Sequence, residues 1–134
     1  MKSSEHDRAL KKYNVGKKFF GSGNLMFDGN FLLTNHEPFI ASVEYARNAL
    51  SFYTYVPERD DCDNYAFMQY GRQLEYFSRN GGGNFSRTFG PCWGYWNNKN
   101  HMWGYGLTDM GFFHVNYGHI VTPDSYKGIG SITS

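Results

Sequence analysis

A chain of 134 residues with a formal net charge of +1 and only 19% charged residues is most simply one domain without a phosphate-seeking surface, which argues against nucleic acid as a partner. Eleven Tyr, twelve Phe and sixteen Gly point instead to many turns and a core of flat rings rather than of Leu, Ile and Val. The longest apolar runs fall far short of the roughly 20 residues that cross a bilayer, and the charged N-terminus is unlike a signal peptide. The expectation is a cytoplasmic or virion-associated chain with no membrane partner and with reduced thiols at Cys62 and Cys92.

Residues 1–18 are Lys-rich, with a weak helix start at Ser4-Glu5, and read as an N-terminal arm or short helix docking on another surface. Residues 19–126 read as a single domain. Within it, Asp28-Gly29 marks a turn and a candidate hairpin. A helix opens at Asn35, with Glu37 and Pro38 in its first turn, carries Phe39, Val43, Ala46 and Leu50 on one face, and ends near Ser51. Phe52 to Val56 is extended in propensity, and Pro57 disfavours helix at Val56.

A second helix is expected from about Asp61 to Ser78, because Ala66, Phe67, Tyr70, Leu74 and Phe77 recur at helical spacing before the stop at Asn80-Gly81-Gly82-Gly83-Asn84. This places Cys62 in a first helical turn, where unpaired N–H groups and about half a positive charge favour thiolate. The neighbouring Asp60, Asp61 and Asp63 oppose that effect unless they point into solvent as caps.

The last third reads as an antiparallel sheet of short aromatic strands: 91–96, 101–105, 110–117 and 119–122. Alternation puts Phe112, His114 and Asn116 on one face and Phe113, Val115 and Tyr117 on the other. Residues 127–134, rich in Gly and Ser, read as a loose tail. The fold class expected is α+β, with N-terminal helices and the Cys62 helix packed on a C-terminal antiparallel sheet.

Tyr55-Val56-Pro57-Glu58-Arg59-Asp60-Asp61-Cys62-Asp63-Asn64-Tyr65-Ala66 resembles the segment around the nucleophile in bacterial transglutaminase-like cysteine peptidases and in the peptidase-like domain of fungal agglutinins. His114-Val115-Asn116 is similar to the strand that supplies their base. The resemblance spans about residues 52–125 and implies a papain-like or transglutaminase-like architecture and acyl transfer at an amide bond. The implied roles are Cys62 as nucleophile and His114 as base, with a protein or peptide substrate and no cofactor. The agglutinin-like pattern carries a Glu before a Pro on the strand after the histidine, where this chain has Thr122 before Pro123. Asp124 is the first candidate for the third member and Asn116 the second. The upstream Gln of papain-like enzymes has no counterpart, leaving the Cys62 N–H and Asn64 as candidate oxyanion donors.

Bland readings compete with each of these. A cysteine among aromatics is commonly a small buried hydrophobe, and a strand histidine commonly structural. His101, His119, Cys92 and Cys62 lack the spacing of a zinc site, and the acids do not match a calcium-binding loop. The aromatic run Trp93, Tyr95, Trp96, Trp103 and Tyr105 is expected to fill a core poor in aliphatics rather than grip a ligand. The composition is similar in style to small bacteriophage proteins. The rival expectation is therefore a non-catalytic component of a larger assembly, such as a virion, bound to partner subunits. The enzyme reading requires His114 within about 6 Å of the Cys62 sulfur, or a loop able to close the gap.

Overall fold

The fold comes from a computed structural model that describes residues 1–16, 23–26, 28–54, 56, 61–81 and 87–133. In chain order the elements are α1 (Ser3–Lys12), β1 (Asn24–Met26), α2 (His36–Ala49), α3 (Cys62–Arg79), β2 (Phe89–Trp96), β3 (Lys99–Thr108), β4 (Gly111–Asn116), β5 (His119–Ile120) and β6 (Tyr126–Thr133). The strands form one sheet in the order β1-β6-β2-β3-β4-β5. This is an α+β fold in three layers: α1, the sheet, and the α2–α3 pair.

Helix α2 begins after Asn35, as its sequence dictates, and its first N–H is taken up by the Asp109 carboxylate, 2.8 Å from the His36 nitrogen. Its Phe39, Val43, Ala46 and Leu50 are all buried. Helix α3 follows Asp61 and buries Tyr65, Ala66, Gln69, Gln73 and Phe77. The buried stripe thus runs through two glutamines, while Phe67, expected inside, is exposed. Gln73 is satisfied by a 3.2 Å hydrogen bond to the Ser42 hydroxyl on α2, which makes its burial tolerable.

Two glycines set how closely the helices approach the sheet. A Cβ on Gly104 would fall 2.4 Å from Gln69 Nε2, and one on Gly106 would fall 2.2 Å from the Phe39 ring. On this face Phe39, Val43, Phe77, Phe89 and Val115 make one core cluster. On the opposite face Leu10 and Val15 meet Cys92, Trp103 and Tyr105 in a second. Of the two forms expected for the first segment, arm or docking helix, it takes the second, and the surface α1 docks on is a sheet face of its own chain, with His6 and Leu10 buried.

Three further expectations are corrected. The Gly- and Ser-rich segment from Lys127 is not a tail but most of β6, which pairs antiparallel with β2 and parallel with β1. Its small residues are what the close packing needs, since a Cβ on Gly128 or Gly130 would fall within 3.0 Å of Val15 or Trp93. The sheet is consequently mixed rather than wholly antiparallel. Around Asp28-Gly29 no hairpin forms among the described residues: β1 pairs with β6, and Asn30 bridges to Lys2. Asp60 and the glycines at 82 and 83 lie outside the described residues.

Candidate active site

Cys62 is the first residue of α3, so its own N–H and the next two have no partner within the helix. It is half-buried and a free thiol, as is the fully buried Cys92 on the α1 face. Of the flanking acids, Asp63 is exposed. The Asp61 carbonyl oxygen accepts the Tyr53 hydroxyl at 2.6 Å and the Tyr65 N–H. With Tyr65, Ala66 and Gln69, Cys62 lines a narrow crevice whose other wall is Met102, Trp103 and Gly104 of β3 and Val115, Asn116 and Tyr117 at the end of β4.

The β4–β5 turn fixes that wall. Tyr117 and Gly118 have φ of 49° and 80°, the left-handed pair of a two-residue hairpin loop. Gln69 Oε1 of α3 accepts the Gly118 N–H at 3.1 Å, and Arg47 of α2 donates to the Gly118 carbonyl at 2.8 Å. Both helices therefore hold the turn, and with it Asn116, against the start of α3. Burial raises the Tyr65 phenol above its ordinary value, so this wall is uncharged there at neutral pH.

His114 does not join Cys62. It follows Phe113 and precedes Val115, which pairs with Gly104 under α3, so alternation turns His114 to the α1 face. There it is 6% exposed, accepts the Trp103 indole N–H on Nδ1 at 3.1 Å, and is enclosed by Trp96, Phe112 and Tyr126. Burial lowers its pKa to about 4. Asp124 is exposed in the loop before β6, so the expected His114–Asp124 arrangement does not form at Cys62.

The second candidate for the third member is placed differently. Asn116 lines the Cys62 crevice and accepts, on Oδ1, a 2.7 Å hydrogen bond from His101 Nε2. His101 is the third residue of β3, on the same sheet face as Trp103 and His114 but at the sheet end where α3 begins, and it faces a depression of about 450 Å³ walled by Trp96, Asn97, Lys99, Asn100 and Asn116. Its ring also lies 6.0 Å from Tyr117, whose other side meets Tyr65 of α3 at 5.2 Å. Asn116 and Tyr117 are thus the common boundary between the thiol and this imidazole.

Sequence reasoning weighed His101 only as a zinc ligand. Hairpin arithmetic held a further signal: a turn at Asp109-Met110 sets Trp103 opposite Asn116 and so leaves His101 diagonal to it.

No protein family matches the chain's sequence, and no curated protein does. Among nine matching solved chains, the structure described as "PSL1a-E64 complex" is similar in fold. Its TM-score is 0.69 at 15% identity, over 98% of this chain and 49% of that one. The chain spans about half the length of that structure.

Proposed function

We propose that the protein is a cysteine-dependent acyl-transfer enzyme of papain-like or transglutaminase-like architecture, with Cys62 as nucleophile, His101 as general base and Asn116 as the residue that orients the imidazole. The observation that carries this reading is the His101–Asn116 hydrogen bond, made by an asparagine that also lines the Cys62 crevice. With Nε2–H given to Asn116, the His101 Nδ1 lone pair is the one left to take a proton. The likeness in fold to a complex with E64, a thiol-reactive epoxide, adds support.

In this mechanism the Cys62 proton passes to His101 and the thiolate sulfur attacks the carbonyl carbon of an amide. The oxygen becomes anionic and is received by the N–H groups at the α3 N-terminus. Collapse breaks the C–N bond, and the imidazolium gives its proton to the departing amine, leaving a thioester on Cys62. Water, deprotonated by His101, then releases a carboxylic acid and restores the thiol. An amine in place of water gives transamidation. The substrate is a protein or peptide amide.

Incubation with E64 followed by peptide mass mapping tests this assignment. The expected result is an adduct on Cys62, none on Cys92, and loss of labelling in His101→Ala. Cys62 left unmodified, or modified equally in the variant, contradicts the reading. The narrowness of the crevice favours a second reading, in which the same fold serves without catalysis as a component of a larger assembly. That reading predicts no labelling.

A further inference from the structure

The residue that resembles the family's base, His114, has a different place in the fold, and that place connects it to His101 through one indole ring. Trp103 is 1% exposed and its ring stacks on His101, with centroids 6.2 Å apart and planes inclined by 12°. Its single donor, the indole N–H, goes to His114 Nδ1 at 3.1 Å. Trp96 closes the arrangement, meeting Trp103 at 5.2 Å, His101 at 5.8 Å and His114 at 5.6 Å. Asn116 thus holds the His101 ring by its edge, and Trp103 holds it by its face.

We propose that His114 is a positioning residue for His101, fixing through the Trp103 indole the plane in which the catalytic imidazole must lie to meet Cys62. The inference rests on the reading of Cys62 and His101 given above.

The chemistry of the pair explains why a histidine stands there. A buried indole N–H left without an acceptor is costly, so the ring would turn to find one. His114 supplies the acceptor only while neutral, with its proton on Nε2. Burial holds it neutral throughout the range in which a thiolate–imidazolium pair operates. Among the described residues, the Tyr105 phenol across β3 and the Tyr126 phenol on β6 face it, both raised by burial and hence uncharged.

The test compares His114→Asn, whose side-chain amide can place an acceptor near the former Nδ1, with His114→Leu, which fills similar volume and accepts nothing. Two readouts are taken on each folded variant: the rate of Cys62 alkylation by iodoacetamide from pH 5 to 9, and the NMR resonances of the Trp103 indole N–H and the His101 ring protons. His114→Leu is expected to slow alkylation at pH 6 by about tenfold or more and to move the profile toward that of a free thiol, with His114→Asn restoring most of the rate. The indole N–H and His101 resonances should shift in His114→Leu and return toward their wild-type positions in His114→Asn.

Equal impairment of the two variants, or a wild-type profile in His114→Leu, overturns the proposal. If wild-type Cys62 is itself no more reactive than a free thiol, the enzyme reading fails. The resonances then decide the positional link alone: His101 signals unmoved in His114→Leu show that no such link exists.

Discussion

The two faces of the sheet solve the same problem with different materials. Under α2 and α3 the core is of rings and aliphatics with two neutral, hydrogen-bonded amides, Gln69 and Gln73, and its closest contacts are made where glycines let the helices approach. Under α1 the core holds polar groups in its interior. His6 Nε2 pairs with the Tyr105 hydroxyl at 2.9 Å, Tyr105 pairs with Thr133, and the Ser131 hydroxyl donates to Asn24 Oδ1 at 2.7 Å. Networks of this kind are costly when half-satisfied, so the α1 face should respond to pH and to single substitutions where the α2–α3 face responds mainly to volume.

Acid is the largest expected discriminator. His6 and His114 are both lowered to about 4 by burial, outweighing in His6 the opposing pull of Asp7. The unfolded chain binds protons at these histidines from about pH 6.5 downward, whereas the folded chain resists until about 4. Their stabilising contribution is therefore complete above pH 6.5 and is lost as pH falls toward 4, on the order of 3 kcal/mol for each group. Urea unfolding between pH 4 and 7 should show this slope, and His6→Phe should flatten part of it. A stability independent of pH over that window would break the comparison.

Removing one anchor of the α1 face comes next. Leu10→Ala should destabilise the protein by about 3 kcal/mol, because Leu10 is wholly buried against the sheet. A dispensable arm would show almost no change in denaturant midpoint. On the other face Gly104→Ala should cost about 1–3 kcal/mol by driving Gln69 and the start of α3 away from β3. It should also lower Cys62 reactivity, since Gln69 holds the turn that carries Asn116. Retained reactivity in that variant would show that the turn does not set the site. The smallest effect is expected for Asp63→Asn, a few tenths of a kcal/mol from the lost interaction with the helix N-terminus. Because Asp63 is exposed, alkylation of Cys62 should change by less than about threefold.

The helices were the most legible part of the chain. Asn35, Pro38 and the spacing of Phe39, Val43, Ala46 and Leu50 carry α2 without ambiguity, and the start of α3 at Cys62 follows from the acids and the apolar repeat. The buried side of α3 was less legible, because Gln69 and Gln73 look like surface residues until their partners on Gly118 and Ser42 are known. β6 was illegible for a related reason. Gly128, Gly130 and Ser131 have the composition of a loose end, yet small size is what a strand pressed against Val15 and Trp93 requires. Between His101 and His114 the local motif favoured His114, and strand alternation even paired it correctly with Asn116 as a face-mate. His101 has the same parity as Trp103 and so shares a sheet face with His114. What separates them is place along the strands, a tertiary fact, since Cys62 meets the sheet at Met102, Asn116 and Tyr117, the end where His101 lies, while His114 pairs with Tyr105 further in.

Activation of Cys62 by His101 is tested most directly by the alkylation rate of Cys62 by iodoacetamide from pH 5 to 9, in wild type and in His101→Ala. The prediction is a rate at pH 6 well above that of a free thiol, falling by about a hundredfold in His101→Ala. A wild-type rate no greater than a free thiol's at pH 6, or one unchanged by His101→Ala, would contradict it.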